Sequence, residues 1–237
     1  MAMGTTVSKF WGKRIVELSY AQLEVILVAH FGIHPDRVST FRSRIKQLQR
    51  LQFPSGVNIG RGVRMSYSAT HLFQLVSAFE LIGLGLPAAQ ATKAVEDRWT
   101  EFAAGYGLAD QFWKASNFRE HVFIRVMNRT LYDIQNDNGD KVYSRVFVED
   151  LESLTNVLSR NSNRASHSYV VMCATDIYAK VMNAAKTVGG VRNPNYDVEM
   201  TTWVAVNSKE NWWVMAQGGW SYPWLDAEVE VEEDGNP

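Results

Sequence analysis

From Val38 to Leu48 the apolar residues Val38, Phe41, Ile45 and Leu48 recur three, four and three positions apart, and every charged residue from Arg37 to Arg50 is positive. That spacing is the helical period and rules out a half-buried strand. The apolar stripe is narrow, so such a helix buries one thin face and leaves the rest in water. Pro35 opens the segment and Pro54 stops it, because proline has no amide hydrogen and clashes with the preceding turn. Whatever else it contains, the fold must seat a cationic helix over roughly 37–51 at its surface.

The charge continues past the helix. Residues 35–66 contain Arg37, Arg42, Arg44, Lys46, Arg50, Arg61 and Arg64 against Asp36 alone, a local charge of +6 in a chain whose total is −1. Residues 1–70 carry ten Lys/Arg and three Asp/Glu, whereas 71–237 carry 14 and 22, so the halves stand at +7 and −8. A basic half joined to an acidic one fits a DNA-binding module attached to a part that should avoid DNA. Gln47 and Gln49 extend the polar face of the helix, where side chains reach both phosphates and base edges.

The elements around the helix follow from local signals. Ser19 with Gln22 three positions on forms a capping-box pattern for a helix carrying Leu23, Ile26, Leu27 and His30, which Gly32 ends. SGVNIGRGVRMSY, with Gly56, Gly60 and Gly62, reads as a short hairpin or wing bearing Arg61 and Arg64. Ser68 then caps a third helix containing Leu72, Leu75, Val76, Phe79 and Leu81; Gly83 and Gly85 break it. Pro87 precedes a fourth helix, AAQATKAVEDRWTEFAAGYG. Helix, turn, basic helix, basic wing and two more helices is the order of a winged helix-turn-helix module.

The run from Tyr67 to Val95, YSATHLFQLVSAFELIGLGLPAAQATKAV, resembles the part of MerR-type regulators that follows the wing. There a Tyr-Ser pair leads into a helix ending in a leucine-glycine turn, and a shorter helix follows. The resemblance covers roughly residues 19–98, and the family's long heptad dimerisation helix has no counterpart after it. It implies that Arg42 and Arg44 lie on the helix entering the major groove and that Arg61 and Arg64 grip the flanking backbone.

The second half gives a sparser signal. Residues 106–118 read as a connection. HVFIRVMNRTLYDI from His121, KVYSRVFV from Lys141 and SHSYVVMCAT contain strand-like runs. EDLESLTNVLSR and DIYAKVMNAAKTVG are helix-like, and Asn136-Asp137-Asn138-Gly139 is a turn. The alternation predicts a small α/β domain, which could dimerise the head, sense a ligand or contact RNA polymerase. Trp203, Trp212, Trp213, Trp220 and Trp224 put five of eight tryptophans in one span, either core filling or a binding surface. The closing DAEVEVEEDGNP has six acids and no base, the composition of a solvated, disordered tail.

Catalytic groupings are not evident. Cys173, the single cysteine, lies in the apolar run YVVMCAT and reads as a buried packing thiol; it also excludes a disulfide within the chain and a cysteine-rich zinc site. His30 and His34 straddle Gly32, and the Asp133–Asp140 cluster lacks the glycine and glutamate of a calcium loop. No metal ligands, catalytic residues or cofactor are therefore expected. The longest apolar run, Leu23–Phe31, is too short to span a membrane, and no signal-peptide pattern is evident. A cytoplasmic, nucleoid-associated location without membrane contact is expected.

The expected fold class is α+β. An arm at 1–18 precedes a winged helix-turn-helix head at 19–104, a connection at 105–118, an α/β domain at 119–225 and an acidic tail at 226–237. The expected function is sequence-specific regulation of transcription on double-stranded DNA, as a bacterial or phage-type homodimer. Its DNA-binding residues are Arg37, Arg42, Arg44, Lys46, Gln47, Arg50, Arg61 and Arg64. Two alternatives stay open: a phage-type DNA-architectural or packaging protein, and an interaction adaptor using the tryptophan-rich region.

Overall fold

The structure, a computed structural model, describes residues 17–57, 65–114, 121–128, 145–160 and 168–187. The wing arginines Arg61 and Arg64, the Asn136–Gly139 turn, the tryptophan-rich span and the acidic tail lie outside them. So does the arm up to residue 16, but its predicted boundary at 18 falls within an ordered element. Leu18–Ser19 (β1) pairs antiparallel with Ser66–Tyr67 (β2), and Leu18 is 1% exposed. Ser66 and Tyr67, which the sequence assigns to the end of the wing, thus pair with the chain ahead of the first helix.

Helix α1 (Tyr20–His30) starts as the capping box predicts. The Ser19 Oγ accepts from the Gln22 N–H at 3.3 Å, and the Gln22 Oε1 accepts from the Ser19 N–H at 2.9 Å. Gly32, at φ +58°, takes the left-handed conformation that ends the segment. A 3-10 turn at Pro35–Arg37 then leads into α2 (Val38–Arg50). Ser68 and His71 form a second reciprocal cap at the start of α3 (Ala69–Gly83). Leu23, Ile26, Leu27, Ile45, Leu48, Leu72 and Val76 are essentially dry, and burial of each such side chain stabilises by about 1.5–3 kcal/mol.

The predicted fourth helix is two. Alpha-helix α4 (Ala88–Asp97) closes at Arg98, whose φ of −127° and ψ of 28° leave the helical region, and α5 (Trp99–Lys114) follows. Residues 105–114, expected as a connection, belong to α5. Gly105 is there for proximity, not as a breaker: a Cβ on it would lie 2.8 Å from Ile124 Cδ1 and Cγ1. The glycine lets the sheet lie directly on the helix. Tyr106 and Asp110 are buried on α5 and bonded to Ser77 and Tyr178 hydroxyls at 2.8 and 2.7 Å.

The remaining elements are β3 (Phe123–Asn128), β4 (Val146–Glu149), α6 (Leu151–Arg160), β5 (Ser168–Cys173) and α7 (Ala174–Thr187). Strand order is β4-β3-β5, with both ladders antiparallel; Phe123 stands opposite Glu149 on one side and Cys173 on the other. The described sheet therefore differs from the parallel pairing typical of the predicted α/β alternation. β4 and β5 share a direction, but β3 separates them. Ile124, Val126, Val148 and Met172 bury one face of the sheet, which packs on α5 and α7. Helix α7 also packs on α1, and one buried cluster extends from Leu18 to Ala185. The described chain is mixed helix and sheet, mostly helical, and compatible with an α+β class.

Candidate nucleic-acid interface

Helix α2 is held by its thin apolar stripe. Phe41, Ile45 and Leu48 are buried, and the Phe41 ring meets Phe79 at 5.1 Å and Phe31 at 5.9 Å. Three aromatic rings thereby fasten α2 to the end of α1 and to α3, an arrangement worth more than its area alone. At the far end the Gln49 Nε2 donates to Tyr67 Oη at 2.7 Å. Gln49, which the sequence places on the solvated face with Gln47 and Arg50, is turned towards β2.

Everything else charged on the helix faces water. Arg42, Arg44, Lys46, Gln47 and Arg50 are exposed, as is Arg37 in the turn before them. Arg37, Arg44 and Arg50 have no carboxylate within ion-pair distance among the described residues. Helical geometry at 100° per residue sets Arg42 and Arg44 on opposite flanks of the buried stripe, about 160° apart around the axis. The outermost arc between those flanks carries Lys46, Gln47 and Arg50.

Arg42 has a partner that its position in the sequence does not reveal. Its Nε and Nη2 donate to the two Glu24 carboxylate oxygens at 2.7 and 2.6 Å, a fork-to-fork pair between α2 and α1. The Arg42 hydrogen bonds hold the Glu24 carboxyl below its ordinary value, against the opposing effect of burial. Burial, with the Glu24 charge adding to it, pushes the neighbouring Tyr20 hydroxyl up to about 12. The pair fixes the angle of Arg42 and leaves three of its five N–H donors for other acceptors. Counting Glu24 and Asp36 against Arg37, Arg42, Arg44, Lys46 and Arg50 leaves a net +3 on this surface.

Glu24 escapes sequence reasoning because it sits inside the apolar run LEVILVAHF. The available signal was that a carboxylate on a buried helical face needs a donor partner. Two further groupings are equally nonlocal. Arg125 on β3 and Glu149 on β4 form a buried bidentate pair, with the guanidinium 4.2 Å from the Phe147 ring centre and 4.7 Å from that of Tyr169. Cys173, expected as a buried packing thiol, is only half-buried, and His121 Nδ1 lies 3.7 Å from its Sγ. Burial pushes that thiol up, partly countered by backbone N–H groups of Asp176 and Thr175, while the Asp176 carboxylate adds to the rise.

Among the described residues no helix is long and apolar enough to cross a membrane. Comparison of the chain with protein-family models, curated proteins and solved structures gives no match.

Proposed function

We propose that this chain is a sequence-specific double-stranded DNA-binding regulator of transcription, with a MerR-like winged helix-turn-helix head. One observation carries the reading: α2 is anchored by a thin apolar stripe and turns an acid-free cationic face to solvent, with no ion-pair partner for Arg44 or Arg50 among the described residues. The order β1, α1, turn, α2, β2, α3 supports it, since a helix-turn-helix offers its second helix to the groove.

The geometry suggests a division of labour on α2. A major groove about 12 Å wide accepts a helix of similar diameter, so flanking residues meet the two phosphate walls and the outer arc meets the base edges. In this reading Lys46, Gln47 and Arg50 read bases. Arg42, braced by Glu24, and Arg44 hold opposite phosphate backbones, with Arg37 near the helix start. Arg61 and Arg64 remain part of the proposal as wing contacts. A homodimer on inverted half-sites and a contact with RNA polymerase complete it.

The test is selection of bound duplexes from a random library by the full-length chain at physiological salt. An enriched motif supports the reading, and inverted half-sites supply the dimer spacing. Gln47→Ala should relax one position of the motif, whereas Arg44→Ala should weaken all sequences alike and lower the salt slope by about 0.9. Retention without enrichment, falling steeply with salt, replaces it with the DNA-architectural reading. No retention at all removes DNA as the ligand of the chain acting alone.

A further inference from the structure

At the end of the sheet where β5 runs into α7, three side chains with metal-ligating atoms meet. Cys173 ends β5, Asp176 stands in the first turn of α7, and His121 lies two residues ahead of β3. His121 Nδ1 and Cys173 Sγ are 3.7 Å apart, and one donor atom from each residue lies within 4.8 Å of the others. Ligand atoms at zinc bond lengths of about 2.0–2.3 Å in a tetrahedron stand roughly 3.3–3.8 Å from one another. The histidine–cysteine distance already fits, and the exposed Asp176 side chain can close the rest by rotation about its own bonds.

The backbone beneath these groups is held from both sides. The Val122 N–H donates to Thr175 Oγ1 at 3.0 Å, the Ala174 N–H donates to the Val122 carbonyl at 2.8 Å, and Phe123 faces Cys173 in the ladder. The three residues thus share one rigid junction, although 52 positions separate His121 from Cys173.

We infer that His121, Cys173 and Asp176 form a site for a thiophilic divalent cation of the zinc class, with the fourth position open to solvent. A thiolate, a carboxylate and a neutral imidazole supply the sulfur, oxygen and nitrogen donors such an ion takes, and their two negative charges match its two positive ones. The same three residue types could instead make a nucleophilic cysteine, but that chemistry sets the carboxylate on the far nitrogen of the imidazole. Here one Asp176 oxygen lies within 4.8 Å of both the sulfur and an imidazole nitrogen, so the three donors converge on one point, as a shared cation requires. Half-burial of His121 and Cys173 and exposure of Asp176 leave a path for the ion to enter. The inference stands independently of the DNA-binding reading.

The test uses the full-length chain, stripped of metal under reducing conditions and titrated with Zn²⁺ against a chromophoric chelator, then with Co²⁺. One Zn²⁺ per chain and an intense thiolate-to-cobalt charge-transfer band are expected. Cys173→Ser should abolish that band. His121→Gln and Asp176→Asn should each weaken Zn²⁺ affinity at least about tenfold, the loss that even outer-shell partners produce. Unchanged far-ultraviolet circular dichroism shows that each variant folds, and the exposed Asp176 position keeps the test decisive if a half-buried variant does not. A folded chain that takes up no Zn²⁺ overturns the inference. So does uptake that survives Cys173→Ser unchanged, or rapid alkylation of Cys173 that Zn²⁺ does not slow.

Discussion

Glu149→Ala should be among the most damaging single substitutions in the sheet. Side-chain exposures of 5% for Arg125 and 9% for Glu149 mean that water cannot replace the lost carboxylate. The guanidinium would stay between Phe147 and Tyr169 with its two charge-assisted hydrogen bonds gone. Removing one member of a buried pair costs about 3–5 kcal/mol, because the other charge remains buried and unpaired. The two ring contacts are made before and after the substitution, so they cancel from the difference and leave this cost standing. Replacing both residues, as Arg125→Met with Glu149→Leu, removes the orphan charge along with the pair. The double variant should therefore lie within about 1–2 kcal/mol of the parent, despite containing the same lost contact. The exposed Lys93–Asp97 pair is the control, with side-chain exposures of 65% and 26%; Lys93→Ala should cost about 0.5 kcal/mol or less. Urea unfolding at neutral pH, followed by circular dichroism, measures all four proteins. A Glu149→Ala cost below about 1 kcal/mol, or a double variant as unstable as the single, would refute the argument from desolvation.

Three further outcomes follow from the same geometry. Gly105→Ala should destabilise by about 1–3 kcal/mol, because the new methyl group meets Ile124 at 2.8 Å; adding Ile124→Val should recover part of that loss in urea melts. Ser68→Ala should cost about 1 kcal/mol by leaving the His71 N–H without its cap, whereas a change below about 0.3 kcal/mol would show the cap to be dispensable. Glu24, held below its ordinary value of 4.5 by Arg42, contributes stability that is fully present above that value and is lost as pH falls through the lowered one. The stability gap between parent and Glu24→Gln should accordingly be flat near neutrality and close only in the acid range; a gap that closes above the ordinary value would contradict the pairing with Arg42.

Much of the first half was legible because its signals act over three or four residues. Ser19 with Gln22 predicts the start of α1, Gly32 and Pro35 predict the turn, and the Phe41–Ile45–Leu48 period predicts α2 and its buried side. The candidate interface follows from that period, since placing the stripe inward places the cations outward. Glycine serves two different ends in this chain. Gly85, at φ +100°, does lie at a chain reversal, while Gly105 sits in mid-helix to admit Ile124. The two look alike in sequence because backbone conformation and close approach are different demands met by the same missing Cβ.

By itself, the sequence determined where α1, α2 and α3 begin, which face of α2 is wet, and that its wet face is positive. Tertiary structure alone decided that Arg42 is braced by Glu24, that Arg125 is neutralised by Glu149, and that His121 meets Cys173 and Asp176. These pairings span 18, 24 and 52 residues. No local preference encodes them. The first is set when Phe41 packs on Phe31 and Phe79 and seats α2 against α1; the other two are set when Ile124, Val126, Val148 and Met172 leave water together and lock the β4-β3-β5 register, since a slip of one residue would turn every one of those side chains to the opposite face.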